Sequence, residues 1–338
     1  MEVIDGQHRL WAFEGARLDG NFQLPVVAFH GLDISWQAYL FWTINIKPKR
    51  INASLAFDLY PLLRTEDWLE KADGHHIYRE TRAQELTEGL WAHPQSPWYH
   101  RINMLGEPGV KQPMVTQSAW IRSLLATYVR AWEGKRVTIG GLFGAPTARR
   151  EEILPWSRAQ QVAFLIFAGR TIRDAVKSSH QPWAQTLRKG QTGSPVNGYE
   201  DPAFSGPHTL FSTDQGIRGF LYVTNDLCYI RARQLKLTEW AVESGAGAPD
   251  ERAVSNALQS LRRAPVATFV GGIATALAKY DWRTSSAPGL RENERVLKAA
   301  LRGSGGYKEL RRQLLRHLSQ EDGEVGATAR TALQLLKY

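Results

Sequence analysis

Five consecutive residues near the start of the chain, Asp5-Gly6-Gln7-His8-Arg9, are of types that could do chemistry together. A glycine lets backbone N–H groups come close to an anion, and the helix N-terminus that follows favours negative charge. Arg9 offers a planar guanidinium fork that matches phosphate oxygens. Asp5 suits a metal ion or a positioned water, and His8 suits donation to a phosphate or movement of a proton. The bland alternative is a turn with a capping aspartate and a surface ion pair. The flanking residues set this segment between a strand end, Val3-Ile4, and a helical stretch from Gln7 to Ala16 with Leu10, Trp11 and Phe13 as apolar positions.

Other segments carry weaker chemistry. Gly303-Ser304-Gly305-Gly306-Tyr307-Lys308 leads into a helix and suits either an anion cradle or a flexible turn, without the full Walker spacing. Thr213-Asp214-Gln215-Gly216-Ile217-Arg218 sets an acid and a base around a glycine, as a functional segment or a plain turn. His75-His76 beside Asp73 lacks a spaced third ligand and reads as a solvated loop. The single cysteine, Cys228, cannot form an internal disulfide and lies in an apolar context that predicts a buried, inert thiol. With no serine elbow, H-E-x-x-H or zinc-cysteine pattern, serine hydrolase and metalloprotease readings fall away.

The elements that must position these residues change character along the chain. Leu24 to Phe29 is a β-rich run ended by Gly31, Ser35 opens a helix, and Asn52 caps a segment through Leu63 that Pro61 interrupts. The remainder reads as helical. Thr116 caps a helix with Trp120, Ile121, Leu124, Leu125, Tyr128, Val129 and Trp132 on one broad face. Ser157 with Gln160 fits a capping box, and Asp250 caps a helix through Arg263 that Pro265 stops. The stretch from about 181 to 215 is rich in Gly, Pro, Ser and Thr and predicts a long loop. Gly219 to Ile230 fits a strand or a helix equally. Leu310, Leu314, Leu315 and Leu318 predict an amphipathic helix with Lys308, Arg311, Arg312 and Arg316 toward water and available to DNA.

Composition sets the class. The 338 residues are 43% hydrophobic and 22% charged, which is globular and excludes wholesale disorder. No apolar run approaches the roughly 20 residues of a membrane span, and Met1 to Asp5 lacks the features of a signal peptide, so a cytoplasmic location without membrane partners is expected. Lys+Arg exceeds Asp+Glu by 42 to 33, giving +9, a surplus that draws polyanions or only decorates a solvated surface. Twelve tryptophans read mainly as core anchors with a polar edge, although Trp120 near Arg122 and Trp132 near Lys135 and Arg136 would also suit base stacking.

Asp5 to Arg9 match the signature of the DGQHR-domain proteins, and the chain resembles that family further on. Leu10, Ala12 and Leu24-Pro25-Val26-Val27 follow as in the family, and Phe41-Trp42-Thr43-Ile44-Asn45 looks like its F-x-x-I-N segment. Ser96-Pro97-Trp98-Tyr99 and Val115-Thr116-Gln117 also resemble stretches of these proteins. The family includes the DndB proteins of DNA phosphorothioation and the DpdB proteins of deazapurine modification.

The resemblance implies an α+β chain: a small ParB/sulfiredoxin-like mixed α/β domain over 1–64, then a mostly helical region over 65–338. Because only four residues precede the signature, that domain would be truncated at its N-terminus. It implies that Gly6, Gln7, His8 and Arg9 contact the phosphates of ATP or another nucleoside triphosphate. Asn45 and Lys47 would complete the pocket, Asp5 would hold Mg2+ or water, and Asp5 and His8 would be the catalytic groups. The expected function is a nucleotide-binding, ATP-hydrolysing component of a bacterial DNA-modification or defence system, acting with DNA and partner enzymes. The alternatives are a DNA-binding transcriptional regulator without turnover, and a ParB-like nuclease.

Overall fold

The computed structural model describes residues 4–7, 11, 26–46, 54, 57, 74–106, 114–130, 138–144, 154, 156–189, 201–240 and 250–338. They belong to two compact units, Met1–Thr81 and Arg82–Tyr338.

In the first unit the main described element is α1, Ile34–Ile46. Asp33 opens it: its carboxylate accepts the backbone N–H of Ser35 at 2.8 Å and of Trp36 at 3.0 Å, which satisfies two of the donors a helix start leaves over. Ser35, expected to open the helix, is thus its second residue. Trp36, Tyr39 and Trp42 follow at three-residue spacing, with ring centroids 5.8 and 6.0 Å apart.

The expected mixed α/β domain over 1–64 is not what the described residues form. Among them no strand occurs before residue 102, and the β-rich run from Leu24 has irregular backbone over its described part, 26–29. Val26 and Val27 are 67% and 80% exposed there. β-branched residues favour a strand only where a neighbouring strand completes the hydrogen-bond ladder and covers a face, and the described residues supply neither. Of the strand end expected at Val3-Ile4, Ile4 lies in a bend, while Val3 and the cap expected at Asn52 lie outside the described residues. Gln7, Trp11, Ser54 and Phe57 have helical backbone.

The second unit begins within α2, Gly74–Ala92, and its described elements are helices, one short parallel pair and an isolated antiparallel bridge between Thr209 and Arg283. That pair, β1 (Ile102–Asn103) with β2 (Val115–Thr116), matches Ile102 to Val115 and Asn103 to Thr116. Thr116 then caps α3, Gln117–Ala126, its hydroxyl accepting the Ala119 N–H at 3.3 Å. Ser157 and Gln160 form the expected capping box of α4, Arg158–Lys177. Most of α4 is buried, including polar Gln160 and Gln161, whose amides donate to the carbonyls of Trp240 at 2.7 Å and Trp156 at 3.0 Å.

The stretch expected to be a long loop is partly helical. It holds α5 (Pro182–Lys189), α6 (Pro202–Ser205) and a 3-10 turn at Leu210–Ser212. Arg188 ties it down by donating to the carbonyls of Val176 and Ser179 at 2.8 and 2.7 Å and to Asp201 at 2.9 and 2.5 Å, thereby covering the carbonyl end of α4.

The segment that fitted a strand or a helix is helical, as part of α7, Asp214–Ile230. Its buried positions Ile217, Phe220, Leu221, Thr224, Leu227 and Cys228 recur every three or four residues. Asp250 caps α8, Glu251–Leu261, and Pro265 opens α9, Pro265–Leu277, where its missing N–H is no loss. After α10 (Glu292–Ala299) come α11 (Gly306–Ser319) and α12 (Gly323–Leu335). The helix α7 packs against α3, α11 and α12, while α4 packs against α8 and α9.

Tryptophans anchor this core. Trp156, Trp183 and Trp282 are buried and donate their indole N–H to the carbonyls of Leu237, Ala278 and Leu277 at 2.8, 3.2 and 2.7 Å. Trp98 lies so close to α4 that a Cβ at Gly169 would fall 2.5 Å from its ring. Gly169→Ala is therefore expected to lower stability by about 1–3 kcal/mol through overpacking against a buried, rigid ring. A urea midpoint equal to the wild type's would show that the Trp98 ring is free to move aside.

Candidate functional site

The signature turn is described over Asp5, Gly6 and Gln7. Gly6 has φ +95°, a conformation that side chains with a Cβ rarely adopt, and Gln7 follows in helical backbone. Asp5 and Gln7 are exposed. His8, Arg9 and Lys47 lie outside the described residues, and Asn45 is placed only by its backbone in the last turn of α1. The geometry thus supplies the glycine turn and one exposed carboxylate. Among the described residues, no group of three or more His, Cys, Asp or Glu side chains could hold a metal ion. None of their helices is long and apolar enough to cross a membrane.

The basic helix expected to face DNA is α11, and its four cations have different situations. Lys308 and Arg316 are exposed, and neither makes an ion pair among the described residues, although Arg316 acts at longer range on Glu309. Arg312 is held by Glu309, with nitrogen–oxygen distances of 2.8 and 2.6 Å. Arg311 departs from the expectation that it faces water. It is 6% exposed and turned into the core, where its guanidinium meets Asp226 of α7 at 2.7 and 2.5 Å. A buried carboxylate needs a charged partner more than a surface needs one further cation, and that demand sets the direction of the side chain.

Sequence reasoning missed Asp226 and the groups around it. Asn225 accepts the Leu142 N–H at 2.9 Å and donates to the Gly140 carbonyl at 2.9 Å and to Asp226 at 3.3 Å. Arg130 donates to the Ile139 carbonyl. Burial pushes the Asp226 carboxyl up, against the pull of Arg311 and Arg130, while burial lowers Arg130. The available signal was the Asn225-Asp226 pair standing inside an otherwise apolar run.

Two segments singled out by sequence meet at the start of α11. Tyr307 donates its hydroxyl to Asp214 at 2.5 Å, and the Arg218 guanidinium lies 3.8 Å over the Tyr307 ring centroid. Arg218 also donates from Nε to the Ser123 hydroxyl at 3.2 Å. Burial and the neighbouring Asp214 raise the Tyr307 phenol, while Arg218 and the exposed Arg122 pull it the other way. The segment 213–218 is therefore a helix start rather than a plain turn, with Thr213 as its cap.

Ser96-Pro97-Trp98-Tyr99 and Val115-Thr116-Gln117 also come together. Pro97, Trp98 and Val115 line a small cleft with Trp120, Phe204 and Arg101, and Arg101 donates to the Ser205 carbonyl at 3.3 Å.

A histidine–serine pair elsewhere has the wrong proton for nucleophilic catalysis. The Gln95 N–H points at Nδ1 of His93 at 3.2 Å, so the ring proton sits on Nε2. There it faces the Glu251 carbonyl at 3.3 Å and the Ser255 hydroxyl at 3.2 Å. His93 donates toward Ser255 and cannot take its proton. His75 and His76 are placed only by backbone, in the first turn of α2.

Arg311→Ala is expected to destabilise the fold by about 3 kcal/mol, because it strips a buried carboxylate of its partner. Chemical denaturation measures this, and wild-type stability with weakened DNA binding would reverse the assignment of Arg311 to the core. Burial holds His93 below its ordinary 6.5, so the unfolded chain binds a proton that the folded ring refuses. Stability should fall as pH drops below about 6.5 and level off below the folded pKa, with this component lost in His93→Gln. Urea midpoints for both proteins at about pH 7.5 and about pH 5.5 provide the check.

Comparison with known protein families, with curated proteins and with solved structures finds no match.

Proposed function

We propose that this chain is a nucleotide- and DNA-binding component of a bacterial DNA-modification or defence system of the deazapurine or phosphorothioate kind. The observation that carries the DNA-binding part is the outward face of α11, where Lys308 and Arg316 stand exposed and make no ion pair among the described residues. Such cations release counterions from DNA when they meet its phosphates, which gives affinity without sequence preference. Arg312 would join them only by leaving Glu309.

The nucleotide part rests on the resemblance at Asp5–Arg9, supported by the positive φ of Gly6. Gly6, Gln7, His8 and Arg9 would take the phosphates of ATP or another nucleoside triphosphate. Asp5 suits Mg2+, which usually binds through one or two carboxylates together with substrate phosphates. When bound, that ion would neutralise phosphate charge. What the chain itself would add is positioning of the phosphates on backbone N–H groups and on Arg9. Other proteins of the same system would be its partners, in the cytoplasm.

The test has two arms. Phosphate release from ATP with Mg2+, with and without double-stranded DNA, is expected from the wild type and lost in Asp5→Ala; absence of turnover in the wild type would leave a regulator. In the second arm, Lys308→Ala with Arg316→Ala should make the slope of log affinity against log salt shallower by about 2. An unchanged slope would make α11 a solvated face.

A further inference from the structure

The cations of α11 have neighbours on two other helices. Arg122 is exposed on α3, one residue from buried Ser123. Arg218 of α7 is joined to that Ser123 hydroxyl at 3.2 Å, and its guanidinium carbon lies 3.8 Å over the ring centroid of Tyr307, the residue before Lys308. From these contacts, we infer that the nucleic-acid surface continues from α11 across Arg218 to Arg122, so that three helices present one strip of cations to the phosphates of double-stranded DNA. This rests on the DNA-binding reading of α11.

Charge is what suits the strip to a polyanion. Arg122, Arg218, Lys308 and Arg316 have no ion pair among the described residues. The carboxylate closest to the junction, Asp214, accepts the Tyr307 hydroxyl at 2.5 Å, and Glu309 is engaged by Arg312. Arg218 is also held in place on both sides, by a hydroxyl and by a ring. A guanidinium fixed in this way loses little side-chain freedom when it meets a phosphate. DNA fits better than an acidic protein because a duplex offers a regular line of single-sign charge and oxygens that match the guanidinium fork.

The experiment measures binding of a double-stranded DNA fragment across a salt series for the full chain and three variants. These are Arg122→Ala, Arg122→Glu, and Lys308→Ala with Arg316→Ala. Arg122 is exposed and unpaired, so its replacement leaves the fold intact, and thermal unfolding verifies this. Arg122→Ala should make the salt slope shallower by about 1, and Arg122→Glu should weaken binding about tenfold or more. If both Arg122 variants bind as the wild type while the α11 variant is weakened, the strip ends at α11 and the inference fails alone. If none is weakened, the DNA-binding reading fails with it. Polyglutamate that competes as well as DNA would overturn the assignment to phosphates.

Discussion

The carboxylate of Asp226, with no exposed surface and answered by Arg311, is the interaction on which the second unit depends. Taking a carboxylate out of water costs several kcal/mol, and a guanidinium offsets that only where it is held close against the acid. Here α7 contributes the acid and α11 the base, and the two helices pack along one another. The pair fixes how α11 is rotated about its axis. With Arg311 turned in beside Leu310, Leu314, Leu315 and Leu318, residues 312 and 316 are left on the outer side. Asn225 extends the same network to the 139–143 segment through two backbone bonds.

What the sequence made legible is local. Helix starts were readable because a cap needs only one side chain and an N–H three residues on, as at Thr116, Ser157 and Asp250. The apolar face of α11 was readable from leucine spacing, and the inert cysteine from its neighbours. The losses share a cause, which is dependence on distant partners. On a helical wheel Arg311 falls among Leu310, Leu314, Leu315 and Leu318, but the partner that makes a guanidinium acceptable there, Asp226, is 85 residues away. The β-rich run at 24–29 has strand-forming residues, but no ladder partner accompanies its described part. The run from Gly219 was ambiguous because its β-branched and aromatic residues, Phe220, Tyr222, Val223, Thr224 and Tyr229, suit a strand as well, and contacts with α3, α11 and α12 decide for the helix. At the signature, Gly6 was legible as a turn, whereas His8, Arg9 and Lys47 lie outside the described residues.

The arginines illustrate how one residue type serves three purposes in this chain. Arg188 closes the end of α4 by donating to its carbonyls, and Arg82 and Arg158 hold Gln161 and Glu85 along its buried face. Arg311 neutralises a core carboxylate. Arg122 and Arg316 remain outside, where an approaching polyanion meets them. Surface potential here depends on which guanidiniums the fold has already engaged, more than on their number.

Cys228 stands two residues beyond Asp226 on α7, fully buried, with its thiol pushed up to about 12 by burial. Thiolate is the reactive form, so an alkylating reagent meets almost none of it while the helix stays packed. As the sole cysteine, it makes the chain carry its own reporter. Each labelling event records an occasion on which α7 left the shelter of its neighbours, and the rate of labelling measures how often that core opens.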